Sequence, residues 1–310
     1  QDFDQFLRDR AAASGAFRQQ AAFEKVERDE VGGLWVYYTP VTGKPLEPGQ
    51  TAQRVRVSTR MVIGADGARS PIARAHIPKA DKTKYVFAYH EIIESPDPSL
   101  SHDAERCDVY YQGEVSPDFY GWVFPHGKTT SVGTGSADKG FSLRTATGHL
   151  RGIAGLSDQA ILRREGAPIP LKPLPHWDNG RDILVVGDAA GVVAPSSGEG
   201  IYYAMDCGRT MARAAHEALK TGNPKCLAQG RKRFMKQHGK VFWILGVMQY
   251  FWYQNDKRRE KFVKICEDKD VQKLTFDAYM NKELAKRDPV AHVRIFLKDM
   301  AHLLGFAKTS

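Results

Sequence analysis

The sequence predicts a mixed α/β protein: strand–turn–helix units, a β-rich middle and a helical C-terminal third. Three observations carry this. Met61–Arg74 and Asp182–Lys220 each run from a short apolar strand, through a Gly/Asp turn, into a helix. Between them, Tyr85, Phe87 and Tyr89 alternate along one strand, and turn signals separate further short apolar runs. After Thr221-Gly222-Asn223-Pro224, a strong helix stop, the pattern is helical. The expected organisation is one discontinuous unit over 1–80 and 176–222, a β-rich unit over 81–175, and a basic helical region over 223–310.

In chain order, Phe3, Phe6, Leu7 and Ala11 recur at helical spacing, which predicts an amphipathic helix over 2–13, ended by Ser14-Gly15. Phe17–Arg28 and Gly33–Thr39 read as strands, Thr42–Gln50 as a turn-rich loop, and Arg54–Ile63 as one strand leading into Asp66. Asp108–Gln112 and Phe119–Phe124 read as strands, Pro125–Lys128 as a hairpin turn, and Thr129–Gly135 as its return strand. Phe141–Gly155 reads as a helix, and Pro168, Pro170, Pro173 and Pro175 as an extended connector. The helix from Gly200 to Lys220 is expected to bury Ile201, Ala204, Met205, Gly208, Ala212, Ala215 and Leu219 and to carry Asp206, Arg209, Arg213 and Lys220 on its other face.

Composition narrows the function classes. The chain has 310 residues and a formal charge of +9. Residues 221–310 hold 19 Lys and Arg against 9 Asp and Glu, so the basic character belongs to the C-terminal third. Such a region suits an acidic protein, an anionic membrane or nucleic acid, but no nucleic-acid-binding motif accompanies it. Four widely spaced Cys with no Cys-x-x-Cys pair fit a reducing compartment, and the ten His show no ligand spacing, so no metal is expected. No secretory signal is present, and no apolar run reaches the roughly 20 residues of a membrane span.

Two turns carry the chemistry. In Ile183–Ile201, Asp188 follows a β-branched strand, where a carboxylate can accept hydrogen bonds from sugar hydroxyls. Pro195, Gly198 and Gly200 then keep the helix entrance free of side-chain bulk, so backbone N–H groups can approach a ligand. Met61–Arg74 repeats this grammar with Asp66-Gly67, followed by Arg69 and Arg74. A third stretch, Pro117–Pro125, places Tyr120, Trp122 and Phe124 on one strand face. Such a face is either sheet core or the wall of a long apolar pocket.

The Asp188 segment resembles the second flavin-binding motif of the aromatic-hydroxylase-type flavoproteins, and Asp66-Gly67 resembles their Asp-Gly motif. Pro-x-x-Tyr-x-Trp-x-Phe-Pro over 117–125 matches the signature of the geranylgeranyl reductase family. The resemblance is greatest to the bacterial type that reduces the geranylgeranyl tail of (bacterio)chlorophyll, or geranylgeranyl diphosphate, to phytyl. It implies an FAD/NAD(P)-binding aromatic-hydroxylase-like flavoprotein fold, with FAD as cofactor and NADPH as donor. It further implies FAD contacts at Asp188, Gly200 and Ile201, a backbone contact to the adenine at Ala22, and FAD-adjacent positions for Asp66 and Gly67. Tyr120, Trp122 and Phe124 would line the isoprenoid cavity. Tyr120 is a candidate proton donor by position only, and the catalytic residue stays unknown. A flavin monooxygenase acting on an aromatic substrate, an archaeal-type reductase of lipid tails, and an inactive fragment or membrane-associated scaffold remain as alternatives.

Gly-x-Gly-x-x-Gly, which cradles the pyrophosphate in such proteins, does not occur in these 310 residues. An N-terminally incomplete chain that binds FAD poorly by itself is therefore expected. Val241–Tyr253, flanked by Arg231–Lys240 and Lys257-Arg258-Arg259, reads either as a buried helix lining the substrate tunnel or as an interfacial helix on an anionic membrane. The second reading places peripheral membrane contact within 231–259 and a location in the cytoplasm at a photosynthetic membrane. His292–Phe306 reads as a second amphipathic helix with the same two roles.

Overall fold

A computed structural model describes residues 2–41, 53–97 and 103–281. The loop expected at 42–50 and the helix expected at 292–306 lie outside the described residues. Helix α1 (Asp2–Ala13) carries Asp2 and Asp4 in its first turn, where acids complement the helix dipole. None of its residues is buried, and the apolar side chains Phe3 and Phe6 stay exposed.

Three strands, β1 (Ala21–Arg28), β2 (Leu34–Pro40) and β3 (Val55–Thr59), form an antiparallel sheet in that order. The strand expected from Phe17 begins only at Ala21, and Phe17 is exposed. The single strand expected over Arg54–Ile63 is two strands. Thr59 Oγ1 donates to the Met61 carbonyl at 2.9 Å and accepts from the Met61 N–H at 3.3 Å, closing a tight turn between them. The chain thereby leaves the first sheet and enters β4 (Val62–Gly64). Helix α2 (Pro71–His76) follows, with Pro71 in its first turn and the Ser70 hydroxyl accepting from the Ala73 N–H at 2.7 Å.

The β-rich middle is one five-stranded antiparallel sheet in the order β6 (Asp108–Tyr110), β7 (Gly121–His126), β8 (Thr129–Ser136), β5 (Tyr85–Glu94), β9 (Ile161–Pro170). The hairpin turn is tighter than expected: Pro125 and His126 belong to β7, and Gly127 supplies the positive φ of 67°. Pro168 and Pro170 lie within β9 rather than in a connector. A β9 at the sheet edge tolerates them, because an edge strand can leave one row of N–H groups unpaired. Helix α3 (Leu143–Ile153) covers one face, where Leu150 packs with Ile93, Val123 and Val132. Arg151 locks the end of α3 to the sheet, pairing with Glu91 at 3.0 Å and donating to the carbonyls of Leu156, Ser157 and Gln159.

The chain then returns through β10 (Ile183–Val185), which pairs in parallel with β4. Helices α4 (Ile201–Thr221), α5 (Leu227–Trp252), α6 (Asp256–Ile265) and α7 (Lys269–Asn281) follow. Val62, Ile72, Ile183, Leu184, Tyr203, Met211 and Phe234 share one core cluster. Each large aliphatic side chain buried there contributes roughly 1.5–3 kcal/mol. The buried face of α4 is shifted from the expected one: Ala215 is buried as expected, beside Tyr203, Cys207, Met211, Ala214 and Ala218, while Ile201, Met205, Ala212 and Leu219 are exposed. Asp206 is also buried, because His238 of α5 meets its carboxylate at 2.9 Å and Arg209 binds the other oxygen.

Candidate functional site

The parallel register Val62↔Ile183 and Gly64↔Val185, extended by the Val186 N–H donating to the Gly64 carbonyl at 2.9 Å, brings the C-terminal ends of β4 and β10 side by side. The Asp66 and Asp188 loops therefore leave the same end of one strand pair, where parallel sheets place their ligands. Asp188 lies in a 3-10 turn, Gly187–Ala190. Neither of its carboxylate oxygens has a hydrogen-bond partner among the described residues, and burial pushes its pKa up. A Cβ placed on Gly200 would lie 3.4 Å from Asp188 Oδ1, so the carboxylate stands at the entrance of α4. Gly200 is the N-cap residue of α4 and supplies no side-chain cap, which leaves the first-turn N–H groups available. Ile201, 69% exposed, projects from the same entrance. A half-buried carboxylate without a partner, beside an uncapped helix start, fits a group carrying hydroxyls and negative charge, as the ribityl phosphate of a flavin nucleotide does.

Asp66 is exposed, and its Oδ2 accepts from the Ile72 N–H at 3.3 Å, so the start of α2 already engages it. Gly67 follows with φ 81°. Ala22 lies on β1, paired with Thr39 in the three-stranded sheet, and is exposed.

The loop from Ala194 to Gly200 connects this end to the five-stranded sheet. It is closed by the Ala194 N–H donating to the Glu199 carbonyl at 2.8 Å and the Gly198 N–H donating to the Ala194 carbonyl at 2.9 Å. Two tyrosines tether it. Tyr120 donates to the Ser197 carbonyl at 2.5 Å, and Tyr253 donates to the Ser196 carbonyl at 3.1 Å. Burial, and after it the neighbouring Tyr111, push the Tyr253 pKa well up, so it stays protonated as a donor. At Gly198, φ is 65° and a Cβ would already touch Phe119 at 3.4 Å, so the loop packs directly against the aromatic edge of the sheet.

Tyr120 immediately precedes β7, and Trp122 and Phe124 lie on it. Ring centroids run 4.3 Å from Phe119 to Tyr120, 6.0 Å from Tyr120 to Trp122 and 6.3 Å from Trp122 to Phe124. Tyr120 is buried, while Trp122 and Phe124 are half-buried. Trp122 lies across Gly133, where a Cβ would be only 2.4 Å from the indole. The side chain missing at Gly133 is what makes room for the ring.

Three residues on this face escaped the sequence reading. The register Trp122↔Gly133↔His90↔Glu165 forms a row across four strands. His90 Nδ1 meets Ser131 Oγ at 2.9 Å, His90 Nε2 meets Glu165 Oε2 at 3.1 Å, and Trp122 Nε1 donates to Ser131 Oγ at 3.1 Å. An imidazole therefore stands beside the aromatic strip, its ring centroid 6.2 Å from that of Trp122. Strand alternation places His90 on a face with Ala88 and Ile92, but only the strand order places it beside Trp122. Behind the Asp188 turn, burial drives the Cys207 thiol to about 12, which rules it out as a nucleophile near neutral pH.

The cationic flank expected at 257–259 is partly used inside the protein. Arg259 is buried and donates to Asp256 and to the carbonyls of Pro117 and Tyr253, and Arg258 lies 4.3 Å over the Phe251 ring. The apolar run 241–253 is two-faced: Phe242, Trp252 and Tyr253 are buried, whereas Trp243, Val247 and Tyr250 are exposed. No helix among the described residues is long and apolar enough to cross a membrane.

No family model matches the chain. It is 50% identical over 305 residues to the geranylgeranyl diphosphate reductase of Rhodobacter capsulatus, an alignment covering 98% of this chain and 75% of that protein. A crystal structure of a geranylgeranyl bacteriochlorophyll reductase-like protein from Thermoplasma acidophilum superposes with a TM-score of 0.75 at 20% identity, over 99% of this chain and 74% of that one. A flavin-dependent halogenase from Brevundimonas superposes with a TM-score of 0.57 at 14% identity, over 98% of this chain and 56% of that one. The fold is thus that of the aromatic-hydroxylase-like flavoproteins.

Proposed function

The chain belongs to the geranylgeranyl diphosphate reductase family, and from that premise we propose that it reduces isoprenoid C=C bonds with a bound FAD and NADPH as donor, converting a geranylgeranyl group to phytyl. The group is carried as a diphosphate or on a chlorophyll-type pigment. The observation that carries this reading is the 194–200 loop, which runs from the Asp188 turn to the edge of the aromatic strip and is tied there by Tyr120.

Asp188 accepts hydrogen bonds from the hydroxyls of the bound cofactor, and the first-turn N–H groups of α4, with Gly200 and Ile201, meet its charged part. Ala22 makes a backbone contact at the adenine end, and Asp66 and Gly67 stand beside the cofactor. The flavin supplies the reducing equivalents for an alkene that has no carbonyl to accept charge. Trp122 and Phe124 align the tail and keep water from it, and their ring faces favour positive charge developing on the alkene carbons. Tyr120 serves as a tether, since its hydroxyl proton is held by the Ser197 carbonyl. His90, held between Ser131 and Glu165, is a group on this face able to hold a proton.

The exposed Trp243–Tyr250 stripe of α5 collects so apolar a tail at a membrane surface, with the protein peripheral to a photosynthetic membrane. Flotation with anionic and with neutral liposomes tests this: binding to the anionic set supports it, and binding to neither refutes it. For the reaction itself, mass analysis of geranylgeranyl diphosphate incubated with the protein, excess FAD and NADPH is decisive. The proposal expects two hydrogens gained per reduced bond. Gain of oxygen would replace it with a monooxygenase.

A further inference from the structure

A groove of about 970 Å³ opens between residues 79–84, residues 171–175 and α5, with Tyr253 and Pro195 among its lining residues. Lys79, Lys82, Lys84, Lys172 and Arg231 line it, against one carboxylate, Asp118. That carboxylate is already engaged: Ser136 Oγ donates to it at 2.7 Å and the Ala137 N–H at 3.0 Å. Asp81, on the same turn as Lys82, does not line the groove. None of the five cations has a carboxylate partner among the described residues. Arg231 is half-buried, with Nε donating to the Leu174 carbonyl at 2.9 Å and its remaining N–H groups without an acid to meet. Burial lowers its pKa.

Two further features mark this groove. Lys79 is the one non-glycine residue with positive φ among the described residues, at 65°. Such backbone costs of order 1 kcal/mol and gathers at ligand-binding positions. The walls are also apolar, formed by Leu171, Pro173, Leu174, Pro195, Tyr250 and Tyr253. Tyr250 belongs at once to the groove and to the exposed stripe of α5, and Tyr253 belongs at once to the groove and to the tether of the 194–200 loop.

We infer that this groove binds the phosphate or diphosphate group of an apolar-tailed ester, with the cations on the phosphoryl oxygens and the tail against the tyrosine wall. The four lysines are exposed at the rim and Arg231 is half-buried; cations clustered without acids around a cleft favour multivalent anions, and an Arg adds directional N–H donors. A prenyl diphosphate and an anionic phospholipid share this chemistry. Only the first of these sources rests on the reductase reading.

The test is calorimetric titration of the protein with inorganic pyrophosphate, for the wild type, for Lys82→Glu/Lys172→Glu, for Arg231→Gln, and for Lys236→Glu/Lys240→Glu as a matched charge change at exposed positions outside the groove. The inference expects saturable binding, weakened at least about tenfold by the first pair, weakened by R231Q, and held by the control pair. Absence of saturable binding in the wild type, or equal loss in both charge-reversed pairs, would overturn it. Competition by geranylgeranyl diphosphate assigns the groove to substrate, and competition by phosphatidylglycerol vesicles alone assigns it to lipid. Competition by neither would overturn the ester assignment. Riboflavin titration of the same variants separates the two proposals: pyrophosphate binding that falls while riboflavin affinity stays at the wild-type value is expected, and a parallel fall of both would overturn the groove assignment.

Discussion

Replacing Asp188 by Asn keeps the shape of the side chain and removes its charge. In the ligand-free protein that charge is a liability: it is half-buried, has no partner among the described residues, and its pKa is raised by burial. A fully buried, unsatisfied charged group costs roughly 1–3 kcal/mol or more. Discounted for the solvent that still reaches Asp188, the expected gain from Asp188→Asn is about 1 kcal/mol, or roughly 2–4 °C in Tm. The sign with pH follows from the direction of the shift. A folded-state pKa raised above 3.8 means that the wild type loses stability as pH rises through the raised value. The variant's advantage is therefore absent below about pH 4 and full at neutral pH. Ligand binding moves the other way. Exchanging a charge-assisted hydrogen bond for a neutral one loses roughly 1–2 kcal/mol, about five- to thirtyfold in affinity. Thermal unfolding between acid and neutral pH reads the first effect, and riboflavin fluorescence titration reads the second. A variant less stable at neutral pH, or one with unchanged flavin affinity, refutes the reasoning.

Three further outcomes are expected. Tyr120→Phe and Tyr253→Phe each remove one hydrogen bond to the 196–197 carbonyls, costing about 1 kcal/mol singly; because they hold adjacent residues, the double variant should depart from additivity in a denaturant-melt cycle. At Asp206, burial raises the pKa, but hydrogen bonds from His238 and Arg209 outweigh it and leave the carboxyl below 3.8. Its contribution is therefore present above that value and lost as pH falls through the depressed one, so Asp206→Asn should cost about 1–3 kcal/mol near pH 7 and progressively less in acid unfolding below pH 4. Iodoacetamide at mildly alkaline pH should label the exposed Cys107 and Cys266 and spare Cys207, whose thiol is buried and pushed up to about 12; peptide mapping reads the difference.

Much of the candidate site was legible because its signals are local. Asp188, Gly198 and Gly200 lie within one short stretch between β10 and α4, and strand alternation alone puts Trp122 and Phe124 on a common face. What stayed hidden depends on partners distant in the chain. His90 and Glu165 are 75 residues apart and meet only through the strand order. The buried face of α4 was misread because Asp206 looks like a surface residue until His238, 32 positions away, satisfies it. Arg259 likewise looks like a membrane-facing cation until the Pro117 carbonyl takes it inside. The break between β3 and β4 is invisible to hydropathy, since the apolar pattern runs on through Met61.

The central claim is that the Asp188 turn and the aromatic strip form one site. It is tested most directly by titrating geranylgeranyl diphosphate into the protein at a flavin concentration shown by fluorescence titration to fill the site, and recording the visible flavin spectrum, for the wild type and for Trp122→Ala. The account predicts a saturable spectral shift in the wild type, and an apparent affinity for the prenyl chain at least about tenfold weaker in the variant with flavin affinity unchanged. A flavin spectrum indifferent to the prenyl chain, or a Trp122→Ala protein that binds it as the wild type does, would contradict it.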